Sequence, residues 1–172
     1  MENKILDTMS GLLIQRHETI AVAESVTSGG IMAQLSLAKN ATDFFQGGLV
    51  AYNLGQKTRQ LHVDPIEAEH TNCVSDRIVQ TMALNVAVQF CATWGIAVTG
   101  YAAPVPLLKI KECFALYCFV YKGEIICTKR IDTKMKGLER NQKFFTKKIV
   151  DDLGAYLEKL SPASLPVKVH KQ

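Results

Sequence analysis

Apolar positions at helical spacing alternate along the first half of the chain with short apolar runs typical of strands. Five apolar residues at three-and-four spacing predict an amphipathic helix that ends near His17: Ile5, Leu6, Met9, Leu12 and Leu13. Residues 19–23 (TIAVA) form a strand-like run, a polar turn with two glycines follows at 24–30, and helical spacing resumes at Ile31. The pattern therefore predicts a helix, a strand, a turn and a second helix.

The same alternation continues through the middle of the chain. We predict a second strand at residues 48–53 (GLVAYN), then a short helix that ends near Leu61 and is followed by a break at residues 63–65 (VDP). A longer helix begins after Ser75, whose hydroxyl is suited to cap the first turn. Residues 95–99 (GIAVT) form a third strand that we expect to be buried.

The last third of the chain combines a hairpin with a long helix. Two β-rich runs at residues 113–121 and 124–131, joined at 122–123, predict an antiparallel pair. A helix runs from about Gly137 to Leu160. Because strand and helix alternate before the hairpin, we predict an α/β fold with a mainly parallel sheet and helices on both faces.

Composition is that of a globular protein. The 172 residues are 48% hydrophobic and 21% charged, so we expect one domain over residues 1–160 and a loose basic tail at 161–172. The five cysteines are odd in number and never at metal-ligand spacing, which predicts reduced core residues. With neither a signal sequence nor an apolar run near the roughly 20 residues needed to span a bilayer, we expect a cytoplasmic protein without a membrane partner.

The net charge of +4 comes partly from a basic stretch in the C-terminal third: Lys134, Lys136, Arg140, Lys143, Lys147 and Lys148. On a helix these side chains spread over the outer face, while Phe144, Phe145 and Ile149 pack inward. This pattern favours a solvated helix face over a nucleic-acid footprint. We therefore expect no nucleic-acid partner.

Ligands of parallel sheets usually bind beyond the carboxyl ends of the strands, which here means the loops at residues 24–30, 52–57 and 99–111. The first loop places a serine hydroxyl at the start of a helix, where N–H groups near Gly29 and Gly30 are suited to a phosphate or an oxyanion. The simpler alternative is that the hydroxyl only caps the helix.

A serine nucleophile needs a base. None of the four histidines lies in these loops, but Lys57 does, and a lysine in an apolar pocket loses part of its preference for charge and can accept a proton. Tyr52 ends the predicted strand that leads to it. The alternative for Lys57 is a solvated helix residue. Glu24 is a candidate general base or orienting group, and the dispersed histidines and aspartates predict no metal site.

Four stretches together resemble the CinA C-terminal domain family. Residues 23–27 (AESVT) match the family's AESCT, and residues 47–52 (GGLVAY) with Lys57 match its GG-V-x-Y-x4-K. Residues 74–75 (VS) with 82–83 (MA) match its VS and MA, and residues 99–104 (TGYAAP) match its TGxAGP. The four agree in order over roughly residues 5–157, which is far more specific than any one of them.

The resemblance implies a three-layer α/β/α sandwich around a mixed, mainly parallel five-stranded sheet. Enzymatic members of the family are nicotinamide-nucleotide amidases, which convert nicotinamide mononucleotide to nicotinate mononucleotide and ammonia without a metal or other cofactor. Carried over to this chain, Ser25 matches the catalytic serine, Lys57 the lysine that activates it and Tyr52 the tyrosine beside them. The implied substrate-binding residues are Glu24, Thr27, Gly29, Thr99 and Gly100, with Arg140 or Lys136 for the 5′-phosphate.

Two departures from the family pattern keep other hypotheses open. Ser28 replaces a family glycine, and residues 105–113 (VPLLKIKEC) replace a longer, polar, glycine-rich loop. One alternative is a non-catalytic pyridine-nucleotide-binding or regulatory module. Another is an interaction protein that uses an apolar patch at Leu107, Leu108 and Ile110. The apolar loop and the hairpin also lead us to expect a homo-oligomer.

Overall fold

The computed structural model describes residues 2–160, which contain five strands and six α-helices. The strands are β1 (Ile20–Glu24), β2 (Phe45–Val50), β3 (Trp94–Tyr101), β4 (Cys113–Tyr121) and β5 (Glu124–Thr133). The helices are α1 (Glu2–Gln15), α2 (Gly30–Leu35), α3 (Leu54–Leu61), α4 (Pro65–His70), α5 (Asp76–Gln89) and α6 (Leu138–Lys159). Short 3-10 turns lie at Ala41–Asp43 and Pro106–Leu108. The predicted tail at 161–172 falls outside the described residues.

The strands form one mixed sheet in the order β2-β1-β3-β4-β5. Strand β1 runs parallel to β2 and β3, whereas β4 is antiparallel to both β3 and β5. In this register Ala23 lies opposite Leu49 on one side and Ala97 on the other. The carboxyl ends of β1, β2 and β3 therefore meet at one edge of the sheet, which brings the three loops singled out in the sequence together.

Apolar residues cover both faces of the sheet, so the molecule has three layers. Along β1, Ile20 and Val22 belong to the core on one face, which also contains residues of α1, α2 and α6. Ala21 and Ala23 belong to the core on the other face, with residues of α3, α4 and α5. Since side chains alternate along a strand, a strand buried on both faces must be apolar throughout. The predicted α/β/α sandwich with its mixed five-stranded sheet is confirmed.

Side-chain caps set where the middle helices begin. The Asn53 carboxamide oxygen accepts from Gln56 N at 3.0 Å at the start of α3, and Ser75 Oγ accepts from Ile78 N at 3.2 Å at the start of α5, as predicted for Ser75. The sequence predicts only a break at Pro65. In the structure Pro65 opens α4 behind an Asp64 cap, because the first helical turn tolerates a residue without an N–H.

Several predicted boundaries need correction. Helix α1 ends at Gln15, two residues before His17, and β3 extends beyond residues 95–99 in both directions. Strand β2 covers Phe45–Val50 rather than residues 48–53, because the chain after Val50 turns into the cap of α3. Tyr52 therefore lies in the loop after β2 and not in the strand.

The cysteine prediction holds only in part. All five thiols are free; Cys113 and Cys118 are buried, but Cys91 is exposed and Cys73 is half-buried. Trp94 is fully buried, and its indole N–H donates to the buried Glu18 carboxylate at 2.9 Å. No helix within residues 2–160 is long and apolar enough to cross a membrane.

Candidate active site

A buried serine–lysine pair lies where β1 and β2 end. Ser25 directly follows β1, and Lys57 lies on α3, which begins after β2. The Lys57 Nζ atom is 2.8 Å from Ser25 Oγ and also donates to the Ala51 carbonyl at 2.8 Å. Only 2% of Lys57 is exposed. The alternative of a solvated helix residue is therefore wrong for Lys57.

The environment of Lys57 weakens the preference of its amine for the charged form. Burial lowers the pKa of Lys57 because the charged ammonium loses its hydration, and the nearby Cys73 thiol opposes this effect in part. The two atoms that accept from the amine are a hydroxyl and a carbonyl oxygen, not a carboxylate. A neutral amine can keep one N–H on the Ala51 carbonyl and turn its lone pair toward the Ser25 hydroxyl. The pair is thus arranged for proton transfer from Ser25 to Lys57.

The pair opens into a cavity of about 270 Å³. Residues from five parts of the chain line it: Ser25, Val26, Tyr52, Lys57, Asn72, Cys73, Val74, Thr99, Gly100, Tyr101, Ala102, Ala103, Val105 and Leu138. Tyr52 forms part of the rim and is 61% exposed. Within residues 2–160 no group of three or more His, Cys, Asp or Glu side chains is arranged to hold a metal ion.

Cys73 is a cavity residue that the sequence analysis assigned to the core. It lies in the turn between α4 and α5, and its carbonyl accepts a hydrogen bond from the Thr99 hydroxyl at 2.9 Å. Thr99 is thereby fixed against this turn at the end of β3. Because ligands of parallel sheets usually bind at strand ends, the sequence did not predict a cavity residue in a turn between two helices. One feature of the sequence did point to Cys73: it immediately precedes Val74 and Ser75, which match the family pattern.

Glu24 does not line the cavity, although we expected it among the substrate-binding residues. Its carboxylate is fully buried and accepts from the Thr27 hydroxyl at 2.5 Å, Gly29 N at 3.0 Å, Ile31 N at 3.2 Å and Met32 N at 2.7 Å. A buried carboxylate at the end of a strand needs such donors, and the first turn of α2 supplies them. Glu24, Thr27 and Gly29 do not line the cavity, and the Gly29 N–H is already engaged. The expectation that this N–H holds an oxyanion or a phosphate is corrected.

Two residues near the site, Gly100 and Ser28, have positive φ angles. Gly100 has φ of 146°, and a Cβ there would lie 2.2 Å from the Phe114 carbonyl oxygen, so only glycine fits beside β4. Ser28, which replaces a family glycine, adopts φ of 53° and accepts a hydrogen bond from the Gln142 amide at 3.1 Å. Ser28 therefore adopts a left-handed conformation of the kind that glycine favours, and α6 supplies a contact that helps to hold it.

A second, larger depression adjoins the first. It has a volume of about 800 Å³ and is lined by Ala103, Pro104, Lys111, Glu112, Cys113, Asp132, Thr133, Lys134, Met135, Lys136, Gly137, Leu138 and Asn141. Of the two basic residues expected at the phosphate, Lys136 lies on its wall, whereas Arg140 lines neither cavity. The loop at residues 105–110 is closed by a bridge between Val105 and Ile110, and Leu107 within it is 96% exposed.

Comparison with known proteins places these features in a family. The family model described as "CinA C-terminal domain" matches residues 2–153. The chain belongs to this family. CinA-like proteins from Synechocystis sp. and from Prochlorococcus marinus are each 42% identical to it, over 103 and 113 residues, or 60% and 65% of this chain. These matches cover 25% and 26% of the relatives, so the chain corresponds to about a quarter of their length.

A solved structure of a bacterial protein gives the same fold. The competence damage-inducible protein A (ComA) of Klebsiella pneumoniae superposes with a TM-score of 0.85, covering 93% of this chain and 99% of that protein at 22% sequence identity. At this identity the likeness establishes the architecture of the CinA domain here, including the mixed sheet. It leaves the chemistry to be argued from the side chains.

Proposed function

We propose that this CinA domain is a metal-independent amidohydrolase that converts nicotinamide mononucleotide to nicotinate mononucleotide and ammonia. The observation that carries the proposal is the buried Lys57 amine 2.8 Å from Ser25 Oγ on the wall of a cavity. Family membership supports an amidase role in general, and the serine–lysine pair supplies both a nucleophile and a base.

The first half of the reaction forms an ester on Ser25. Neutral Lys57 takes the hydroxyl proton as Ser25 Oγ bonds to the carboxamide carbon, giving a tetrahedral intermediate. The C–N bond then breaks, and Lys57 returns the proton to the departing nitrogen, which leaves as ammonia. Burial of Lys57 serves this cycle because it lowers the pKa of the amine toward the range in which protons are both taken and returned.

The oxyanion needs donors other than Gly29. The Val26 N–H follows the nucleophile directly, belongs to a cavity-lining residue, and has no acceptor within the described part of the chain. An N–H next to the nucleophile is well placed for the negative charge that develops on the carbonyl oxygen. We assign this role to Val26.

The second half of the reaction restores the enzyme. A water molecule gives a proton to Lys57 as its oxygen attacks the ester carbon, and the Ser25 oxygen then leaves with that proton. The carboxylic acid so formed gives its proton to solvent, and the product carries a carboxylate in place of the carboxamide. Tyr52 and Tyr101 line the cavity, and their ring faces attract the positively charged pyridinium of the substrate.

The decisive experiment measures ammonia release from nicotinamide mononucleotide by the wild type and by Ser25→Ala, in buffer treated with a chelator. We expect turnover by the wild type and a loss of about 10⁶-fold in the variant, because the nucleophile is gone. Circular dichroism and thermal unfolding of both proteins control for folding. Binding of the nucleotide by a folded wild type without ammonia release would replace the amidase with the non-catalytic binding module.

A further inference from the structure

The larger cavity adjoins the active-site cavity, with which it shares two wall residues. Ala103 and Leu138 belong to the walls of both. The smaller cavity, at about 270 Å³, lies near the lower end of the roughly 300–1,000 Å³ typical of small-molecule sites, and the larger one, at about 800 Å³, lies toward the upper end. A substrate whose carboxamide reaches Ser25 thus has room to continue past Leu138.

The charges around the larger cavity are unbalanced. Its two carboxylates, Glu112 and Asp132, both bind Arg130, at 3.2 Å and 2.8 Å. Lys111, Lys134 and Lys136 on the same wall make no ion pair with any residue in the described range 2–160. The lining thus carries three lysines and two carboxylates, and both carboxylates are engaged by Arg130, which is not itself part of the lining. A cleft with this excess attracts anions.

The three lysines come from two segments that the fold brings together. Lys111 belongs to the segment that replaces the family's glycine-rich loop, just before β4, while Lys134 and Lys136 follow β5. Strands β4 and β5 are antiparallel partners with Cys113 opposite Thr133, so the start of one and the end of the other lie side by side. Met135, Leu138 and Pro104 add apolar surface to the same wall.

We propose that the larger cavity is a subsite for the second half of a pyridine dinucleotide. The lysines would bind its diphosphate, since ammonium groups form charge-assisted hydrogen bonds with phosphate oxygens. The apolar residues would contact the flat base and ribose. A single phosphate would leave most of the cavity volume unused. The inference rests on the proposed function for the chemistry at Ser25, and it extends the substrate class from mononucleotides to dinucleotides that carry a carboxamide.

The test is binding measured by calorimetry on the full chain carrying Ser25→Ala, so that no substrate is consumed. The ligands are nicotinamide adenine dinucleotide, nicotinamide mononucleotide, and adenosine diphosphate ribose, which has the diphosphate but no carboxamide. We compare Lys111→Ala/Lys134→Ala with the matched control Lys143→Ala/Lys147→Ala, which removes the same charge from the exposed side of α6, where these lysines pair with Glu139 and Asp151.

We expect the dinucleotide to bind at least about tenfold more tightly than the mononucleotide, and this preference to disappear in the cavity variant but not in the control. Equal or weaker binding of the dinucleotide, or equal losses in both double variants, would overturn the subsite. The outcome is separable from that of the proposed function. Absence of ammonia release by wild type would remove the amidase, whereas lysine-dependent binding of adenosine diphosphate ribose would still support the subsite.

Discussion

Replacement of Lys57 by methionine probes the buried amine through stability and activity together. Methionine has nearly the same length and no charge, but it leaves the Ala51 carbonyl without its donor and the Ser25 hydroxyl without its hydrogen-bond partner, each 2.8 Å from Nζ in the wild type. An unpaired buried polar group costs about 1–3 kcal/mol. Where the wild-type amine is neutral, we therefore expect Lys57→Met to lower the free energy of unfolding by about that amount.

The pH dependence of this difference follows from the lowered pKa of Lys57. Between the lowered pKa of the folded state and the ordinary value near 10.5, the unfolded chain binds more protons at residue 57 than the folded one. The free energy of unfolding of the wild type must then rise with pH, by up to about 1.4 kcal/mol per pH unit. Below the lowered pKa the wild type bears the full cost of a buried charge. Methionine does not titrate, so the free energy of unfolding of the wild type should increase relative to that of Lys57→Met as pH rises.

The assay is urea unfolding followed by the fluorescence of Trp94, the single, fully buried tryptophan, at several values between about pH 6 and 10. Arg59→Met is the control, since Arg59 lies on the same helix but is exposed; we expect a change within about 0.5 kcal/mol. In parallel, kcat/KM for ammonia release should rise with pH in the wild type and fall about 10²–10⁴-fold in Lys57→Met.

Two results would refute this reasoning. If the wild type and Lys57→Met showed parallel dependence of stability on pH, residue 57 would not titrate with a lowered pKa. If the variant kept its amidase activity, Lys57 would not be the base. A loss of activity in Lys57→Met, together with a difference in unfolding free energy from the wild type that grows with pH, would support both the lowered pKa of Lys57 and its role as the base.

Two further residues, Glu24 and Gly100, shape the loops around Ser25 and Lys57, and their substitution tests that role. Glu24→Ala removes the acceptor of four hydrogen bonds and should lower the free energy of unfolding by about 3–5 kcal/mol, with a smaller loss for Glu24→Gln. If both variants had the urea midpoint of the wild type, the carboxylate would not be needed as an acceptor. Gly100→Ala places a Cβ against the Phe114 carbonyl at positive φ and should cost at least about 3 kcal/mol in thermal or urea unfolding, an expectation that unchanged stability would contradict.

Much of the fold follows from local patterns. Apolar residues at a spacing of 3.6 or 2 show which face of a helix or strand is buried, and the alternation of the two kinds of element predicts the parallel part of the sheet. The same patterns place Ser25 and Lys57 in loops that follow adjacent strands. Because parallel strands end at a common edge, their proximity was predictable although 32 residues separate them. The family motifs then identified the pair.

Other features were decided by packing between distant segments. Glu24 turns inward because a fully buried carboxylate must find donors, and α2 presents its free N–H groups there; no periodicity carries that information. Cys73 enters the cavity because Thr99 at the end of β3 binds its carbonyl. Lys136, in the segment before α6, lies on the wall of the larger cavity, whereas Arg140, in the first turn of α6, lines neither cavity.

The sequence by itself thus determined most of the elements, their order and the candidate serine–lysine pair, since these depend on neighbours within a turn or on the shared direction of strands. The tertiary structure alone decided how the amine is desolvated, which N–H groups are already engaged, and how Lys111, Lys134 and Lys136 gather beside the site. The reason is physical: desolvation, hydrogen-bond occupancy and the field in a cleft depend on every group within a few ångströms, whatever its distance along the chain.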